Sequence, residues 1–190
     1  MSEPFSIRIV RQGWLEGCSP AADLCSHGTL ALTVAGVPIA DDRESYGISE
    51  TALALLRTLR HDYEPGSDDP TDILVFHGCG SMLMSGCGLG IEWRVAHRAD
   101  GSVELSDVRR YDAPSGGERR DFLAARITLP EAHYAAQVVA FAREARRLFE
   151  QTPKEFEANE FYPGEFRAFW DEFDELLRQH GVTELPPLAA

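Results

Sequence analysis

Apolar and polar positions alternate with period two in several short runs of this chain, and fall on one helical face in three longer ones. Phe5 to Val10 predicts a strand, with Ile7 and Ile9 flanking Arg8. Gly28 to Val34 predicts a half-buried strand, because Leu30, Leu32 and Val34 alternate with Thr29, Ala31 and Thr33. Ala35-Gly36-Val37-Pro38 reads as a hairpin turn into a short strand near Ile39. Ile73 to Phe76 is apolar without alternation, which predicts a central strand covered on both faces. Ile91, Trp93, Val95 and His97 alternate with Glu92, Arg94 and Ala96, and Asp100-Gly101 turns that strand into Val103-Glu104-Leu105. Ala125 to Leu129 supplies one more strand.

The helical signals are separate. Ser49 reads as an N-cap, Glu50 as a first-turn acid, and Ala52, Leu55, Leu56 and Leu59 as the apolar stripe. Glu64 to Pro70 stacks breaker residues behind it. Thr128-Leu129-Pro130-Glu131 reads as a capping box for a helix striped by Ala135, Val138, Val139, Ala142, Ala145 and Phe149. A last helix is expected from about Pro163 to His180, with Gly181 as its C-terminal cap. Its aromatic stripe of Phe166, Phe169, Trp170 and Phe173 reads as a packing face. The order of elements and the short hairpins favour an α+β fold. The expected layout is a mostly antiparallel sheet, one central helix segment, and two C-terminal helices packed on it. Residues 1–152 form the core in this reading, and 153–190 a C-terminal amphipathic acidic helix packed on it, within one domain.

Charge sharpens the picture. The chain carries 18 basic and 31 acidic residues, for a net −13, and ten of those acids against three bases lie in residues 150–190. Such a segment repels phosphate backbones, so nucleic acid is an unfavourable partner and a basic protein a favourable one. The arginine pairs at 109–110, 119–120 and 146–147 are dispersed and lack interleaved aromatics. No apolar run approaches the roughly 20 residues that span a bilayer, so no membrane association is expected. The cytoplasm is the expected location, with the four cysteines as thiols or metal ligands.

Candidate chemistry concentrates in two places. Cys25-Ser26-His27 and His77-Gly78-Cys79 each set a thiol and an imidazole two residues apart, which extended backbone would direct to one side. Brought together, Cys25, His27, His77 and Cys79 would make a tetrahedral zinc site, although zinc loops usually separate paired ligands by two to four residues. Cys18 and Cys87 are alternative ligands. Within the glycine-studded run from His77 to Gly90, Cys79 or Cys87 also presents itself as a nucleophile beside glycine N–H groups, with His27, His77 or His97 as base. The competing reading is a tight hairpin whose thiols fill small core holes. Gly86-Cys87-Gly88-Leu89-Gly90 is no phosphate loop: it lacks the lysine of that motif and leads into a strand pattern.

Trp14, the run Asp23-Leu24-Cys25-Ser26-His27-Gly28, the helix Ser49 to Leu59 and Gly90-Ile91-Glu92-Trp93-Arg94-Val95 carry a resemblance. The chain resembles a group of small bacterial proteins with a Trp-Leu-x-Gly opening, a D-L-C-x-H-G approach to a strand and a G-I-x-W-x-V strand. That similarity covers about residues 7–110 and the C-terminal helix. It implies no activity and assigns no catalytic residue.

Two functional expectations result. One is a small acidic interaction protein, immunity-like or antitoxin-like, contacting a basic partner through Asp171, Glu172 and Glu175. The alternative is a metal- or thiol-dependent hydrolase, or a structural zinc site, built from Cys25, His27, His77 and Cys79.

Overall fold

In a computed structural model of the chain, residues 3–66, 73–76, 89–112, 119–156 and 161–188 are described. Among them, two antiparallel sheets and three helices make an α+β fold with the helices packed against the sheets. The first sheet joins β1 (Phe5–Gly13), β2 (His27–Val34) and β3 (Val37–Ala40) in that order, and β4 (Tyr46–Gly47) also pairs with β2. The second runs β5 (Val75–Phe76), β6 (Leu89–His97), β7 (Ser102–Asp112) and β8 (Arg119–Asp121), with β9 (Ile127–Pro130) pairing β7. The alternation of β2 is realised: Leu30, Leu32 and Val34 are fully buried. Both hairpins form where turn chemistry places them, with Ala35 and Gly36 at φ 53° and 74° and Gly101 at φ 78°.

Three expectations need correction. The sheet is divided into two. Ile73 to Phe76 narrows to the two-residue β5, an edge strand among the described residues, although Leu74 and Val75 are buried. The caps also differ. The helix α1 (Ile48–Arg57) has Gly47 at its N-cap position, and α2 (Glu131–Arg147) has Pro130, neither with a side-chain capping bond. Ser49 is drawn inward to other partners, and Thr128 is held extended in β9 opposite Glu104.

The core lies where the layers meet. Phe5 of β1 stands 5.1 Å from the ring of Tyr134 on α2 and 6.4 Å from Trp93 on β6. Opposite Trp93 the β6–β7 register shifts, with Asp107 at φ 51°; this bulge lets Trp93 and Val108 both turn inward. The last helix, α3 (Phe161–Gln179), buries Phe166, Trp170, Phe173, Leu176 and Leu177, the predicted face. It ends as read: Gly181 takes φ 85°, and Val182 N–H and Gly181 N–H return to the carbonyls of Leu177 and Arg178. Two ion pairs tie α3 down. Arg57 of α1 grips Glu172 with two bonds of 2.7 Å. Arg146 of α2, 2% exposed, donates to Asp174 at 2.7 and 2.9 Å and to Glu150 at 2.6 Å.

Candidate functional site

The approach to β2 gathers an unusual number of titratable groups. Asp23 is buried, and its two carboxylate oxygens accept Leu15 N–H at 2.7 Å and Cys25 N–H at 3.2 Å. These bonds fold the segment back on itself before the strand begins, in the manner of an Asx turn. His27, the first residue of β2, sets Nε2 3.4 Å from Asp23 Oδ2. Cys25 is fully buried near Glu50, in the first turn of α1. β2 starts at His27, so Cys25 lies just before the extended strand.

Ser49 links the two halves, accepting Ser26 N–H at 2.9 Å and donating to Glu50 Oε2 at 2.8 Å. Glu50 is 3% exposed, and its second oxygen has no hydrogen-bond partner among the described residues. Burial raises its pKa above that of a free glutamate, against the opposing influence of Cys25 and Ser49. Burial also drives the Cys25 thiol far up, and the neighbouring Glu50 carboxyl adds to the shift. Burial thus disfavours both the thiolate of Cys25 and the carboxylate of Glu50. Asp23 behaves oppositely. Burial pushes it up, but the bond to His27, the two backbone N–H groups and the imidazole charge together bring it below the usual aspartate value.

Lys154 closes the cluster from the far end of the chain. Its ammonium donates to the carbonyls of Pro20 at 2.8 Å and Asp23 at 2.5 Å, and lies 3.3 Å over the ring of Trp14. It is the chain's one lysine, 8% exposed. Burial lowers its pKa to about 8, against the pull of Asp23 and Cys25. Trp14 in turn packs edge-on against Phe149 at 4.9 Å, and Phe149 lies 4.5 Å from Trp170. The Asp23 turn is thereby joined through aromatic rings to α3. Beside it opens a groove of about 470 Å³ whose walls include Gln12, Trp14, His27, Thr29 and Ser45.

Glu50 yields a pH prediction. Its pKa is raised in the fold, so its contribution to stability is complete below the unfolded pKa and is lost as pH rises through the folded one. Glu50→Gln cannot ionise and removes that loss. Thermal midpoints of the two proteins measured from about pH 5 to about pH 8 should shift progressively in favour of the glutamine variant. A difference that stays constant with pH would show that Glu50 does not change protonation on unfolding.

The other sequence candidates are placed as follows. His77, Cys79 and Cys87 lie outside the described residues. Among the described residues, no three His, Cys, Asp or Glu side chains converge to hold a metal ion. Cys18 is exposed and free. His97 has both ring nitrogens engaged, Nε2 donating to Thr58 O at 2.9 Å and Nδ1 at 3.5 Å from Glu131, which ties α1 to α2. Of the three candidate acids on α3, Asp171 is exposed without a partner among the described residues. Glu172 is committed to Arg57, whose bond lowers its pKa. Glu175 accepts from Gln179 at 2.8 Å and Arg178 at 3.4 Å.

Sequence reasoning missed Asp23, Glu50 and Lys154 as parts of one cluster. Asp23 stands four residues before His27 in the D-L-C-S-H-G run, which is the one local signal available. Glu50 looks like an ordinary first-turn acid, and Lys154 stands out only as a compositional oddity. No family model, curated protein or solved structure matches this chain. Among the described residues, no helix is long and apolar enough to cross a membrane.

Proposed function

We propose that this protein is an acidic interaction protein, immunity-like or antitoxin-like, that binds a basic protein partner through the outward face of α3. The observation that carries this reading is the state of the α3 acids. The helix holds five acids and two bases. Glu172 and Asp174 are spent on anchoring it to α1 and α2, while, among the described residues, Asp171 is exposed without a partner and Glu175 is held only by neighbours on its own helix. The anchoring fixes the helix backbone, so the outward carboxylates are presented on a rigid support, which lowers the ordering cost of binding. A net charge of −13 steers a basic partner towards any such face.

A random peptide library panned against the folded protein at low ionic strength tests the reading. Recovered peptides should be enriched in arginine and lysine, and should bind less tightly as salt is raised. The double reversal Asp171→Lys with Glu175→Lys should weaken them by about tenfold, roughly the effect of losing one or two partly exposed charge contacts. Peptides without basic enrichment, or binding indifferent to the reversal, would overturn it.

A further inference from the structure

Beside Asp171, the surface of α3 sinks into a groove of about 610 Å³, within the range of ligand-sized pockets. Its floor is Phe166 and Trp170, 7% and 3% exposed, and its walls include Phe156, Pro163 and Leu188. Phe156 is 39% exposed, and among the described residues only Leu15 and Leu123 are other large apolar side chains so open to solvent. The groove thus keeps an aromatic wall in water, at a cost that an apolar occupant would remove. The Trp170 indole N–H is buried with no acceptor among the described residues.

The charges around the groove indicate what kind of segment brings that occupant. Lys154 at its inner end is already saturated by two carbonyls and the Trp14 ring. Asp174 is already paired with Arg146. Arg167 is the one exposed base on the lining, and its Nε donates to Pro163 O at 3.1 Å. Against it stands the exposed carboxylate of Asp171, one turn of α3 before the exposed Glu175. A segment crossing the groove therefore meets an apolar floor beside the acidic face of α3.

We infer that the groove is the socket for a large apolar side chain, aromatic or leucine, carried among basic residues on the partner's contacting segment. This rests on the proposed acidic binding face and specifies its chemistry. The carboxylates supply rate and orientation, and the socket supplies most of the retention, as buried anchors do in protein interfaces.

The peptides recovered from the library decide it. Each should contain an apolar residue at a fixed offset from a basic one, and replacing that residue by alanine should weaken binding about tenfold. On Phe156→Ala, which removes one wall from a non-helical segment, the intact peptide and its alanine version should bind alike while the salt dependence persists. An unchanged far-ultraviolet spectrum and thermal midpoint would show that the variant is folded. If it unfolds, Leu188→Ala elsewhere on the lining serves the same comparison. Basic peptides that bind with salt dependence but tolerate alanine at every apolar position would overturn the socket and leave the acidic face standing. Peptides with no basic enrichment would overturn the acidic face itself.

Discussion

Replacing Arg146 by methionine should destabilise the protein by about 3 kcal/mol, the low end of what breaking a buried ion pair costs. The guanidinium is nearly inaccessible and makes three charge-assisted bonds, two of them a parallel fork onto Asp174. Burial works against its charge, but the two carboxylates more than compensate and hold its pKa above the ordinary arginine value. Methionine fills much of the same space, so the loss is electrostatic rather than a cavity. Asp174 and Glu150 keep 16% and 20% side-chain exposure, which lets water take up part of the stranded charge and places the cost at the lower end of the range. Chemical denaturation checks the figure. Adding Asp174→Asn should recover part of the loss, because one of the two stranded carboxylates would then be neutral. A single-variant loss below about 1 kcal/mol would show that the carboxylates are as well solvated without the arginine.

Gly28→Ala should cost at least as much, through backbone geometry. A Cβ at Gly28 would lie 1.9 Å from the carbonyl oxygen of Arg11, 2.8 Å from its carbon and 3.0 Å from Gln12 Cα. None of these can swing aside as a side chain would. The close approach arises next to the register shift between Ile9 and Arg11, where β1 carries an extra residue against β2. Relief requires β1 to part from β2 at the very pairs, Gln12 with Gly28 and Gly13 with His27, that begin the strand. A loss of more than about 3 kcal/mol is expected from such overpacking against main chain. Gly13→Ala is the control: a Cβ there meets nothing within 4 Å, so it should be nearly neutral. Equal effects from the two substitutions would remove the steric account.

What the sequence discloses depends on whether a residue's role is local. Gly181 ends α3 because the last turn of any helix needs a residue tolerant of positive φ, and that need is visible in a few neighbouring letters. The α3 stripe and the hairpin glycines are legible for the same reason. Ser49 looks like a cap because serine before an apolar stripe usually is one. It is claimed instead by Ser26, 23 residues earlier, and no local pattern announces that. Glu50 follows the same logic: dipole chemistry places an acid there, but its burial comes from β2 and Cys25 arriving against α1. The binding of Pro20 and Asp23 by Lys154 spans more than 130 positions and is invisible to any window. The division into two sheets escaped for a related cause, since alternation tells which face of a strand is buried and not which strands are neighbours.

Lys154 has one practical consequence. No other lysine competes for a side-chain-directed acylating reagent, and this amine sits under Trp14, held by two carbonyls. Modification at position 154 must wait for the 14–25 segment to lift away, so the rate of labelling there is a clock for that opening, supplied by the protein without any engineered probe.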